Sequence, residues 1–135
     1  MTPGSAASYN ELNYLLRPSK QVERKLFIEA FGWLARAGYF AQDYTYLGLG
    51  SVYYADFILF HKYLYIQQMI CAEADQAITK RMEFNRPYDF IDLRMAEVSE
   101  VIPEIDRQKK HLAWLDYDYI LDGGILADIS SLVPK

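Results

Sequence analysis

Apolar and polar positions in this chain alternate between two kinds of segment. From Val22 onward, Val22, Leu26, Ala30, Trp33, Leu34 and Ala37 recur every three or four residues, the period of one helix face, and Gly38 is a natural stop. Ser19 is a candidate N-cap, with Pro18 just outside the helix. Short apolar runs follow at Tyr44–Leu49, Gln68–Ala72, Phe90–Leu93 and His111–Leu115. They show no strict polar alternation, as expected of strands covered on both faces. The stretches between them, Val52–Leu64, Asp75–Asn85 and Val98–Ile105, read as helices, and Ile125–Leu132 follows the fourth run as another. Asp75–Asn85 stops ahead of Pro87 because a residue preceding proline avoids helical geometry.

Helix and strand alternating throughout predict an α/β fold: a Rossmann-like open parallel sheet with right-handed crossovers and helices on both faces. The expected strand order is 3-2-1-4. Residues 1–14 are expected to form a flexible arm, and 15–135 the N-terminal part of a longer domain. A fifth strand would be due where the chain stops. Strand four would then be a bare parallel edge, which soluble proteins cover. Either a natural protein continues past Lys135, the preferred expectation, or a second copy covers that edge.

Composition narrows the class. A chain of 135 residues, 52% hydrophobic and 24% charged, is one folded domain with a real core. Twelve tyrosines are many; they suit half-buried surfaces, interfaces or stacking pockets, or simply line the edge of the core. A net charge of −4 argues against a general electrostatic grip on nucleic acid. The single cysteine, Cys71, sits in an apolar run without a disulfide partner, as in a reducing cytosol. The start, Met1–Ser8, lacks the basic and apolar regions of a signal peptide. Asp56, His61 and Lys62 interrupt the stretch Val52–Ile66 too soon for a membrane span. A cytoplasmic protein is expected.

The candidate chemistry lies at the ends of the strands. Gly48 and Gly50 form a turn after strand one, where missing Cβ atoms would let a ligand approach the backbone and a following helix start would offer N–H groups. Many strand–helix turns contain glycines for structural reasons alone. Glu73 lies twenty-three residues after Gly50, at the tip of strand two, where a carboxylate can accept bonds from both ribose hydroxyls. The third glycine of a dinucleotide fingerprint falls at Tyr53, which disfavours nicotinamide and flavin dinucleotides. No Gly-Lys-Ser/Thr phosphate loop and no Gly-x-Ser-x-Gly elbow is present.

Asp116 and Asp118 close strand four, where either could orient a substrate or accept a proton, or cap the turn. Arg17, Lys20, Arg24 and Lys25 gather positive charge at the start of the first helix; they could meet a carboxylate or phosphate, but a solvated helix face is the commoner arrangement. His61 and His111 lie among apolar residues and read as structural, with no metal-ligand companions.

This order of elements, with Arg17-Pro-Ser-Lys20, Gly48-Leu-Gly-Ser51, Tyr54-Ala-Asp56, Glu83-Phe-Asn-Arg-Pro87 and Trp114-Leu-Asp-Tyr-Asp118, resembles class I S-adenosylmethionine-dependent methyltransferases, in particular an uncharacterised bacterial group. The resemblance spans roughly residues 15–132. It implies S-adenosylmethionine as cofactor, with Gly48, Gly50 and Ser51 facing its methionine part and Glu73 its ribose. Ala96 and Glu97 would flank the adenine, and Asp116 would face the substrate; apart from the resemblance, the basic cluster offers Lys20 for the cofactor's carboxylate, a phosphate or an acidic partner. Two positions depart from that pattern: the usual acid near the end of strand one is Tyr46, and the third glycine is Val52. A methyltransferase-like binding or assembly module without catalysis is the alternative.

Overall fold

The structure is a computed structural model and describes residues 18–50, 52–116 and 123–133. The expectations for the arm 1–14, for Ser51 and for Asp118 lie outside the described residues. The first helix, α1 (Pro18–Arg36), starts one residue before the expected cap, so Pro18 occupies its first turn, where its missing N–H costs nothing. It ends as expected at Gly38, whose φ of 89° belongs to the left-handed region that glycine enters freely.

Four parallel strands follow: β1 (Thr45–Leu49), β2 (Met69–Ala72), β3 (Ile91–Arg94) and β4 (His111–Trp114). Their order is β3-β2-β1-β4, as expected of the Rossmann-like methyltransferase fold that the chain resembles. The register pairs Tyr46 with Met69 and Leu112, and Met69 with Ile91. Residues two apart share a face. Tyr46, Met69, Cys71, Ile91 and Leu112 therefore point one way, into the larger core cluster. Helices α1, α2 (Ala55–Leu64) and α3 (Thr79–Asn85) supply the other half of that core. The opposite face carries Leu47 and Ala72, packed against Val98, Val101 and Ile102 from α4 (Val98–Val101) and the 3-10 turn after it, and against Leu132 of α5 (Gly123–Leu132).

Three local readings need correction. The helix after β1 begins at Ala55, not Val52, because Tyr54 takes a left-handed conformation (φ 50°) that ends any earlier helical turn. The expected helices at Asp75–Asn85 and Val98–Ile105 are each part 3-10: Gln76–Ile78 leads into α3, and Ile102–Glu104 follows α4. In α1 the conspicuous apolar stripe is not the buried one. Val22, Leu26, Trp33 and Leu34 are exposed, while Phe27, Ile28 and Phe31 pack on the core. The inner face is harder to recognise because Lys20 and Arg24 share it, and charges break its apolar period. No helix among the described residues is long and apolar enough to cross a membrane.

Candidate functional site

The carboxyl ends of β1, β2 and β3 meet at one rim, and the parallel ladder runs one step beyond the strands to set it. Gly50 donates its N–H to the Ala72 carbonyl (2.7 Å), and Glu73 donates to the Arg94 carbonyl (3.0 Å). Glu73 consequently stands beside Gly50. A Cβ on Gly50 would lie 2.7 Å from Glu73 Oε2 and 3.1 Å from Met82 Cε, so only glycine leaves the carboxylate its place. The other oxygen, Oε1, accepts the Asp75 N–H at 2.9 Å. Burial pushes the Glu73 carboxyl above its ordinary value of 4.5, and the backbone N–H groups of Asp75 and Ala74 pull part of the way back. The charge of Glu97 adds to the upward push, so Glu97 belongs to the same neighbourhood. Glu97 stands at the N-cap of α4 with no side-chain capping bond. Ala96, just before it, turns its N–H back onto the Arg94 carbonyl (2.9 Å) and lies half-buried.

The loop between Gly50 and α2 is anchored from α3. The buried Tyr54 hydroxyl donates to the Met82 carbonyl (2.7 Å), and Asn85 Nδ2 donates to the Val52 carbonyl (2.8 Å). The Glu83-Phe-Asn-Arg-Pro87 stretch thus has a physical role, because Asn85 fixes the chain just past the glycine turn.

A second polar cluster lies where the inner face of α1 meets β4 and α2. Lys20 Nζ donates to Asp116 Oδ1 at 2.6 Å and to Glu23 Oε2 at 3.1 Å. Burial lowers the Lys20 pKa, but the bonds to Asp116 and Glu23 outweigh it and the net direction is upward. One turn along, Arg24 is buried and its Nε donates to Asp56 Oδ1. Asp56 lies in the first turn of α2, where a negative charge suits the helix dipole. Burial nevertheless raises its pKa, against the pull of Arg24. Lys20 and Arg24 are thus inward-facing and paired, which corrects the expectation of a solvated basic face; Lys25 is exposed as expected. The Arg24–Asp56 pair escaped sequence reasoning, although Asp56 was visible as a charge inside an apolar run.

Tyr46 joins this cluster from β1. Its ring is fully buried against Phe57 and Phe60, at 5.0 and 5.1 Å between centroids. Its hydroxyl is the one buried side-chain polar atom among the described residues without a hydrogen-bond partner. A Cβ on Gly48 would fall 2.6 Å from that oxygen, so the room left by the missing side chain holds the Tyr46 phenol. Burial, followed by the nearby charge of Asp56, raises the Tyr46 pKa well above the ordinary 10.0.

The histidines sit away from both clusters. His61 Nδ1 lies 2.8 Å from the Ile66 carbonyl, with its ring near Tyr88 and Phe90, and His111 Nδ1 lies 2.9 Å from the Lys109 carbonyl. Among the described residues no group of three or more His, Cys, Asp or Glu side chains could hold a metal ion.

Neither the curated proteins nor the solved structures include a match to this chain. A family model does match, over residues 12–135, and its description is "Putative O-methyltransferase". With nearly the whole sequence covered and a four-stranded parallel sheet in the order 3-2-1-4, the chain belongs to that methyltransferase family.

Proposed function

We propose that this protein is an S-adenosylmethionine-dependent O-methyltransferase domain whose cofactor lies across the rim formed by Gly50, Glu73 and Glu97. One observation carries the reading: the Glu73 carboxylate is set against the bare main chain at Gly50. The pair stands at the carboxyl end of β1, where the sheet order reverses and ligands of open α/β sheets bind. Glu73 would accept hydrogen bonds from the ribose hydroxyls, with Ala96 and Glu97 beside the adenine. Gly48, Ser51 and Lys20 would lie toward the methionine part, and Asp116 and Asp118 toward the acceptor.

When bound, the cofactor supplies an electrophilic sulfonium methyl group. The chain must hold a hydroxyl oxygen in line with it, and positioning of this kind provides much of the acceleration. Asp116, held by Lys20, would orient that hydroxyl and take its proton. A cytosolic setting fits the lone, buried thiol of Cys71.

Isothermal titration with S-adenosylmethionine tests the proposal, and an absence of heat at high micromolar ligand overturns it. Glu73→Ala is expected to weaken binding by about 2 kcal/mol, near thirtyfold. A protonated carboxyl loses acceptor capacity, so affinity should fall as pH drops through the raised Glu73 pKa, above the ordinary 4.5. Glu73→Gln should flatten that profile.

A second reading, a methyltransferase-like binding or assembly module without catalysis, is favoured by two specific features. The Tyr46 phenol occupies the room at Gly48, and Lys20 is already engaged by Asp116. Binding of the cofactor without methyl transfer to any hydroxylated acceptor would select it.

A further inference from the structure

The outward face of α1 presents a stripe that the rest of the described chain does not use. Val22, Leu26 and Trp33 are 56%, 59% and 68% exposed, and with Ala30 they follow one another at helical spacing along a single face. Leu34, Tyr39 and Phe40 extend the exposed apolar surface at the helix's end. Exposed apolar side chains gathered on one helix face, rather than scattered singly, mark an interaction surface.

Gly32 adds an independent clue. It sits inside α1, where glycine is unfavourable relative to alanine. Nothing lies within 4 Å of where its Cβ would stand, so no neighbour in the described chain requires a glycine. A missing side chain on an exposed helix lets another backbone approach closely. Beside this opening, on the same outward side, are Glu29 and Arg36, opposite charges that form no ion pair among the described residues. Arg36 instead lies over the Trp33 ring, 4.7 Å from its centroid.

We propose that this face binds a second copy of the chain, with two α1 helices crossing antiparallel about a two-fold axis between Gly32 and Trp33. Residues equidistant from that axis then face each other. Glu29 lies three and a half positions before it and Arg36 the same distance after, so each Glu29 meets Arg36 of the second copy. Each Trp33 covers the opening at Gly32 of the second copy. The interface is isologous and closes as a dimer, and the complementary charges sit on one helix because two-fold symmetry makes every contact twice. Gly32 and Trp33 form its centre, the Glu29–Arg36 pairs flank them, and farther out Leu26 comes opposite Tyr39 of the second copy, both exposed apolar residues.

Sedimentation of the full chain over a range of concentrations tests this. A species of twice 15.7 kDa is expected. Trp33→Glu should weaken the dimer at least a hundredfold while leaving the far-ultraviolet circular dichroism unchanged, since the side chain is exposed. Gly32→Ala should weaken it at least tenfold without loss of fold. Glu29→Arg and Arg36→Glu should each weaken it about tenfold, and the two together should restore it. A monomer at every concentration overturns the proposal, whether the face stays bare or the chain before Pro18 covers it. So does a dimer that Trp33→Glu leaves intact, or a charge swap that fails to recover association.

Discussion

On the face covered by α1, α2 and α3, the sheet offers Tyr46, Met69, Cys71, Ile91 and Leu112; on the other, Leu47 and Ala72 share the surface with Thr45, Asp92, Arg94 and His111. The first face is apolar and aromatic. Phe27 stacks on Phe60 at 4.7 Å, Trp114 meets Phe27 edge-on at 4.8 Å, and Tyr46 lies against both Phe57 and Phe60. The second face is apolar toward the carboxyl ends, where Leu47 and Ala72 meet Val101 and Ile102. It also bears a groove of about 370 Å³ lined by Thr45, Asp92, Arg94, Glu104 and His111, from the starts of β1 and β4 to the last residue of β3. Arg94 there pairs with both Asp92 and Glu104 near solvent.

The difference lies in what each face supports. The three-helix face carries α1 and α2, and so fixes Lys20, Arg24 and Asp56 against the ends of β1 and β4. The thinner face carries α4, and so places Ala96 and Glu97 beside Glu73. The candidate site sits on the rim between the two layers.

Substitutions can break this contrast or sharpen it. Phe60→Ala removes the ring shared by Phe27, Tyr46 and Trp114, and should cost about 3–5 kcal/mol of unfolding free energy in urea. A loss near 1 kcal/mol would show that the aromatic layer is not the main core. Tyr46→Phe deletes a buried hydroxyl that has no partner among the described residues. It should raise stability by about 1 kcal/mol, because an unsatisfied buried group carries a desolvation penalty. A clear loss would mean that the oxygen makes a bond in solution. Arg94→Ala, in the groove of the other face, breaks two solvent-exposed pairs and should change stability by less than about 1 kcal/mol, with salt diminishing even that. A larger effect would make the groove a structural element in its own right.

The strands were legible because each is a short apolar run between turn or polar residues, and alternation with helical segments leaves few topologies. The boundaries shifted where local geometry intervened. Tyr54 delays α2 by adopting positive φ, which no period of apolar residues signals. The pairing of Gly50 with Glu73 was readable as a spacing, since glycine after one strand and an acid after the next meet whenever those strands are neighbours.

The sequence alone determined the parallel sheet and the carboxylate at the tip of the second strand, because those follow from hydrophobic period, turn residues and the handedness of crossovers, while the strand order was implied by the family resemblance. The tertiary structure decided which side of α1 faces inward. A helix with charge on one face and apolar residues on the other is ambiguous until Asp56 and Asp116 are brought beneath it to receive Arg24 and Lys20. It also decided the role of Gly48, since only the folded strand shows the Tyr46 phenol lying over that residue. Periodicity reports which residues avoid water on average. Buried ion pairs and a side chain filling its neighbour's missing Cβ depend on groups far apart in the chain, and only the packed molecule specifies them.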